Sequence, residues 1–90
     1  MPFGVEWAPR GDDDYNRLPP LLASRVLEEI DKLAANPLHL SRPAKGPNQL
    51  YQRHVFLCEH DGEEVVVTIV FQYSQDELSI EIMGIGLQYR

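Results

Sequence analysis

The sequence predicts an α+β fold in which two consecutive helices pack on a small, mainly antiparallel sheet. Three observations support this prediction: a short alternating segment at residues 3–7, a long amphipathic segment at residues 20–35, and three consecutive β-type segments within residues 49–85. The predicted order is strand, helix, helix, strand, strand, strand. No repeat, linker or low-complexity segment interrupts it, so we expect one domain over residues 1–90.

The N-terminal segment predicts a strand followed by a short helix. Phe3, Val5 and Trp7 alternate along the chain, and Pro9 ends this strand or confines it to an edge. The three aspartates at positions 12–14 complement the positive end of a helix, which we expect to run to Leu18. A metal site at these aspartates is the less favoured interpretation, since adjacent carboxylates diverge on a helix.

The second helix has the clearest pattern in the chain. Leu22, Val26, Ile30 and Leu33 form one apolar stripe, which Leu27 and Ala34 widen. Two prolines precede the helix, and the Asn-Pro pair at positions 36–37 ends it. A stripe of this width predicts a core-facing helix.

Three strands follow a loop at residues 37–47. Asp61-Gly62 lies between two apolar runs and predicts a tight hairpin turn. The first strand is apolar on both faces from Val55 to Cys58, and the second is nearly so from Val65 to Phe71, which predicts central positions for both. The alternation of apolar and polar residues in the third strand predicts that Leu78, Ile80 and Ile82 face inward. A tail at residues 84–90 follows this strand.

Composition limits the class of protein. The chain has 90 residues, 43% of them apolar, and a formal net charge of −6. One cysteine, Cys58, excludes an internal disulfide and is predicted to be a buried core residue. The N-terminus lacks a signal-peptide pattern and no apolar run reaches the length of a membrane span, so we expect a cytoplasmic protein that does not enter the membrane.

The charge is unevenly distributed. The 27 positions between Asp31 and Glu59 contain no acidic residue, and they carry six basic or histidine side chains: Lys32, His39, Arg42, Lys45, Arg53 and His54. A local basic patch on an acidic body can attract phosphate or an acidic partner. The alternative is an ordinary solvated surface. The histidines have neither ligand spacing nor a cysteine partner, so a zinc site is not expected. We expect no cofactor.

Five local features carry a resemblance to a known family. They are the entry strand 3–7, the Leu-Pro-Pro break at 18–20, the Leu-Ala-Ala-Asn-Pro helix end at 33–37, the Tyr-x-Arg start of a strand at 51–53, and the terminal Gly86 with Tyr89-Arg90. In this order the chain resembles the RelE/ParE toxin superfamily of bacterial type II toxin–antitoxin systems. The resemblance implies the same α+β fold and a cognate antitoxin protein as partner.

The resemblance also implies an endoribonuclease that needs no metal and cleaves messenger RNA, often in the ribosome, by attack of a 2′-hydroxyl on phosphate. Such a site needs cations for the phosphate and groups that move protons. The candidate catalytic residues are Arg53, His54, Tyr89 and Arg90. The candidate substrate-binding residues are Arg42, Lys45 and Tyr51. On a regular strand His54 and Arg53 point to opposite faces, so only a bulge would bring both to one site.

Two other functions stay open. A ParE-like or degenerate member would act by binding a protein, either DNA gyrase or the antitoxin, and the lack of a second arginine in the central hairpin favours this class. A third possibility is an interaction domain with no toxin role. Exposed edge strands would also permit a homodimer.

Overall fold

The computed structural model describes residues 3–37, 42–43, 51–74 and 76–90, with the backbone alone at 42–43. Its elements are β1 (Gly4–Trp7), α1 (Pro9–Asn16), α2 (Pro20–Ala35), β2 (Arg42–Pro43), β3 (Tyr51–His60), β4 (Glu63–Ser74) and β5 (Ser79–Tyr89). The strands form one sheet in the order β1-β5-β4-β3-β2. β1 is parallel to β5 and the other pairs are antiparallel. The predicted α+β architecture is confirmed.

The hairpin between β3 and β4 forms where the sequence predicts it. His60 lies opposite Glu63, so only two residues make the turn. Both have positive φ, 53° at Asp61 and 77° at Gly62. Two consecutive positive φ angles are typical of a type I′ turn, whose twist matches that of the flanking strands.

The core lies between α2 and one face of the sheet. From α2, Val26, Ile30, Leu33 and Ala34 contribute to it. From β4 and β5, the fully buried residues are Val65, Val67, Ile69, Phe71, Ile80 and Ile82. The predicted stripe of α2 is therefore confirmed, except that Leu27 is 43% exposed and lies outside it.

Two strand predictions need correction. β4 is central, as expected, but the 55–58 part of β3 pairs with β4 and with no other described strand. Val55 and Leu57 are accordingly exposed, by 47% and 52%. Apolar residues on both faces of a strand therefore do not show that both faces are covered. Cys58, predicted to be buried, is only partly so.

The third strand of the meander is longer than predicted. The tail at residues 84–90 continues β5 as far as Tyr89, which pairs with Val65. Leu78, predicted to face inward, lies in the preceding turn with φ 50° and is 43% exposed. Pairing with the long β4 sets the C-terminal end of β5, because β4 provides backbone hydrogen-bond partners as far as Val65. The polar and glycine-rich sequence of the tail does not indicate a strand.

The first helix begins earlier than the aspartates suggested. α1 starts at Pro9, and proline is tolerated at a first helical position because its missing N–H would have no partner there. The helix ends at Asn16, so Leu18 lies outside it. Among the described residues, no helix has both the length and the apolar character needed to cross a bilayer.

Candidate functional site

The face of the sheet opposite α2, which we call the open face, carries two of the predicted site residues. Residues paired across neighbouring strands share a face. Arg53 pairs with Val70, and Val70 pairs with Gly84, so these three residues form one row across β3, β4 and β5. Tyr51 lies in the next row with Gln72. Arg53 and Tyr51 therefore lie on the same face, as expected for residues two apart on a strand.

The helix α1 reaches the open face because it takes over the edge of β5 where β1 ends. The last β1–β5 pair is Trp7 with Ile82. Beyond it, the Ala8 N–H donates to the Ile82 carbonyl at 3.0 Å. The Ile85 N–H donates to the Oδ2 atom of Asp14 at 3.0 Å. The Asp14 side chain thus substitutes for a neighbouring strand and is held in place by the β5 backbone.

Gly11 permits this close approach. A Cβ atom built at Gly11 would lie 2.1 Å from the Ile82 carbonyl oxygen, which is far inside van der Waals contact. The residue is buried in the middle of α1. Glycine is otherwise unfavourable inside a helix by roughly 1 kcal/mol relative to alanine, so the contact with β5 explains its presence.

Next to α1 the open face contains a shallow cavity of about 350 Å³. It is lined by Arg10, Asp14, Thr68, Val70, Met83, Gly84, Ile85 and Gly86. A register shift between the pairs Val70–Gly84 and Phe71–Ile82 leaves Met83 as an extra residue in β5. Such a bulge bends a strand locally. Gly84 and Gly86 leave bare backbone at the floor.

Charges of both signs surround this cavity, since the carboxylate of Asp14 lines it together with Arg10. Arg10 lies at its α1 side, and Arg53 extends from the row that contains the lining residue Val70. No described residue forms an ion pair with either arginine. The neighbouring row of the open face is acidic on β5 and β1, since Glu6 pairs with Glu81 in the row of Gln72. Phosphate would therefore be attracted to the two arginines and repelled by the carboxylates of Glu6, Glu81 and Asp14.

His54 lies on the other side of the sheet, as the strand alternation predicted. It is 6% exposed, and its Nε2 atom is 2.9 Å from Oε1 of Glu29 on α2. Its ring stacks on Phe56 with 5.5 Å between ring centroids. The only register shift recorded for the described strand pairs is in β5, so no bulge turns His54 toward Arg53.

Glu29 is the centre of this buried network. Its Oε2 atom accepts hydrogen bonds from Arg25 at 2.6 Å and from Lys32 at 2.7 Å. Burial by itself raises the pKa of Glu29, but hydrogen bonds from Lys32, His54 and Arg25 outweigh it and lower the pKa from 4.5 to about 2. Glu29 is therefore charged at neutral pH and fastens α2 to β3.

Tyr89 and Arg90 do not approach Arg53. Tyr89 pairs with the buried Val65, so it lies on the α2 side of the sheet and is 49% exposed. Arg90 donates to Oε1 of Glu64 at 2.6 Å. Glu64 is six residues from Val70 along β4, which is roughly 20 Å at about 3.4 Å per residue. The four predicted catalytic residues thus occupy three separate places.

Two predicted substrate-binding residues are less defined. The backbone of Arg42 pairs with that of Arg53, which places β2 beside the relevant row. Lys45 lies outside the described residues. The described part of the chain contains no cluster of three or more His, Cys, Asp or Glu side chains able to hold a metal ion.

The sequence did not indicate Arg10 and Asp14 as residues of this site. They are four residues apart, which places them on one side of α1 once the helix is known to begin at Pro9. That start was the available signal, because proline at a first helical position is common. Their approach to the sheet depends on Gly11 and on the length of β1, which no local pattern revealed.

Comparison with known proteins supports the fold. No family model matches the chain, and no curated protein sequence matches it. Solved structures do. The RelBE2 toxin–antitoxin complex of Mycobacterium tuberculosis matches with a TM-score of 0.79 and 16% identity, over 98% of this chain and 93% of that one.

Two Escherichia coli structures match as well. The intact RelBE toxin–antitoxin complex has a TM-score of 0.70 and 10% identity, over 98% of this chain and 99% of that one. A free RelE toxin with two arginines replaced by alanine has a TM-score of 0.70 and 9% identity, over 96% of this chain and 83% of that one. The resemblance inferred from sequence is confirmed at the level of architecture: the chain has the fold of the RelE toxins.

Proposed function

We propose that this protein is the toxin of a toxin–antitoxin pair and that its open face binds and cleaves RNA. The observation that carries the proposal is the placement of Arg10 in the lining of the cavity and of Arg53 in the row of the lining residue Val70, with neither arginine in an ion pair with a described residue. The fold shared with proteins solved as toxin–antitoxin complexes supports the first part. It also supports an antitoxin protein as the partner.

The reaction needs little besides positioned cations. The 2′-oxygen of a ribose attacks the adjacent phosphorus, the bond from phosphorus to the 5′-oxygen breaks, and the products are a 2′,3′-cyclic phosphate and a 5′-hydroxyl. Arginine suits the intermediate phosphorane because its planar guanidinium donates two parallel hydrogen bonds to phosphate oxygens. Arg53 holds the phosphate, and the positive charge of Arg10 in the adjacent cavity adds to the attraction of the RNA.

Proton movement sets the expected rate. The phenol of Tyr51 shares the face of Arg53 and supplies a proton to the departing 5′-oxygen, while the 2′-hydroxyl loses its proton to water. His54 takes no part in this scheme because Glu29 and Phe56 hold it on the opposite side of the sheet. A positioned general base contributes about 100- to 10,000-fold, so a slow enzyme is expected.

The test is cleavage of end-labelled RNA by the purified chain in the presence of a chelator. Arg53→Gln should lower the rate on the order of 100-fold, the usual effect of removing one donor to a developing negative charge. Arg17→Gln is the matched control, since Arg17 is an exposed arginine just after α1. Equal loss in both variants, or no cyclic phosphate in the wild-type products, would contradict the proposal.

The second candidate function is binding of a protein target such as gyrase. The observation in its favour is the exposure of Val55 and Leu57, 47% and 52%, directly beyond Arg53 on β3. Exposed apolar residues side by side are typical of interaction surfaces. If this candidate is correct, expression arrests growth without new RNA ends. Serine at both positions then abolishes the arrest, whereas Arg53→Gln does not abolish it.

A further inference from the structure

We propose, resting on the function above, that the cavity between α1 and β5 binds one guanine base of the RNA. The geometry of the Asp14 carboxylate is the first reason. One oxygen accepts the Ile85 N–H, so the group cannot rotate away from the cavity that it lines. An ionised carboxylate can accept about four hydrogen bonds, which leaves acceptors free for a ligand.

Arg10 supplies the complementary donors. It lies one helical turn before Asp14, lines the same cavity, and forms no ion pair with Asp14 in the structure. Guanine presents two donors, N1–H and the N2 amino group, beside two acceptors, O6 and N7. A carboxylate next to a guanidinium matches both sets. Adenine, cytosine and uracil each lack the pair of adjacent donors on one edge.

The floor and walls suit a flat ring. A Cβ atom at Gly86 would have no neighbour within 4 Å, so the space above this residue is empty. Val70 and Met83 provide apolar walls, and the volume of about 350 Å³ lies within the range of small-ligand sites. Unstacked bases in single-stranded RNA are commonly read in this way.

The position relative to Arg53 fits one nucleotide. The row of Arg53 crosses Val70 and Gly84, so the Cα atom of Arg53 lies two strand spacings, roughly 10 Å, from that of Gly84. The arginine side chain extends along part of this distance. A base above Gly86, in the row next to that of Gly84 and beside the Asp14 carboxylate, therefore places its own backbone phosphate near Arg53, which joins the base site to the proposed phosphate site.

The test uses short fluorescent RNA probes made uncleavable by 2′-deoxy sugars, identical except for one central G, A, C or U. We expect the G probe to bind about tenfold more tightly than the others, the discrimination of one good bidentate pair. Asp14→Asn keeps an oxygen for the Ile85 N–H but removes the charge. It should reduce the ratio of the affinity for the G probe to that for the other probes to about one.

A steric variant makes the test independent of charge. Gly86→Leu fills the cavity and should abolish the preference for G, whereas Gln88→Leu, two residues further on the same strand face, should preserve it. Circular dichroism confirms that each variant folds. Equal binding of all four wild-type probes, or an undiminished G preference in Gly86→Leu, overturns the base site while leaving RNA cleavage as a separate question.

If no probe binds, the proposed RNA function fails, and titration with guanosine monophosphate tests the cavity alone. Binding that Gly86→Leu removes would retain the guanine site. The absence of binding by this nucleotide would overturn it.

Discussion

Replacement of Glu29 by glutamine tests whether the buried network fastens α2 to the sheet. A carboxyl group whose pKa falls from 4.5 to about 2 on folding contributes about 3 kcal/mol to the free energy of unfolding at neutral pH. Glutamine keeps the size but removes the charge, so Glu29→Gln should lower this free energy at pH 7 by about that amount. It also leaves the buried His54 with a weaker partner.

The sign of the pH dependence follows from the lowered pKa. The contribution is fully present above the unfolded pKa of 4.5 and is lost as the pH falls toward the folded value of about 2. By pH 3 about 2 kcal/mol of it has disappeared. The difference between wild type and Glu29→Gln should therefore be large at pH 7 and much smaller at pH 3.

Urea unfolding followed by circular dichroism at both pH values measures these free energies. Glu28→Gln is the control, because Glu28 contacts the same Arg25 at 3.6 Å but its side chain is 68% exposed and solvent screens the pair. If both glutamine variants lose equal stability, or if the Glu29→Gln deficit is the same at pH 3 as at pH 7, the network does not stabilise the fold as described.

Three further predictions concern single positions. Gly11→Ala should lower the melting temperature although alanine favours helices, because its Cβ would overlap with the Ile82 carbonyl group. Overpacking of this kind costs about 1–3 kcal/mol of stability. A higher melting temperature would contradict the described contact. Gly62→Ala should lower the free energy of unfolding in urea by about 1 kcal/mol, because φ at this residue is 77°. Gly86→Ala should not lower it, since a Cβ atom there would lie in open space. Equal effects of the two substitutions would refute the turn geometry. Arg90→Gln should change the free energy of unfolding by less than about 1 kcal/mol, since its pair with Glu64 is exposed, and a larger loss would show that the pair is not simply a surface contact.

The buried Gly11 illustrates how position within the fold decides a residue's role. In the sequence it is a glycine before three aspartates, and no local pattern assigns it a role. In the structure it lies inside α1, against β5, and allows Arg10 and Asp14 to reach the open face. We therefore expect substitutions at Gly11 to alter both stability and the cavity.

The sequence by itself determined the features that depend on local geometry. The period-3.6 stripe of α2, the alternation in β3 and the positive φ required at Asp61-Gly62 each follow from neighbouring residues alone. The opposite orientations of Arg53 and His54 follow from the same alternation. Together these features were sufficient for the fold class.

Only the tertiary structure decided which face each element covers and where separate segments meet. Alternation shows that Arg53 and His54 point apart, but not that α2 buries His54 against Glu29. The cavity combines a helix near the N-terminus with the last strand, and the Asp14–Ile85 hydrogen bond joins residues 71 positions apart. Such contacts depend on strand order and on the point where β1 leaves β5, because backbone groups at a vacated edge must find another partner.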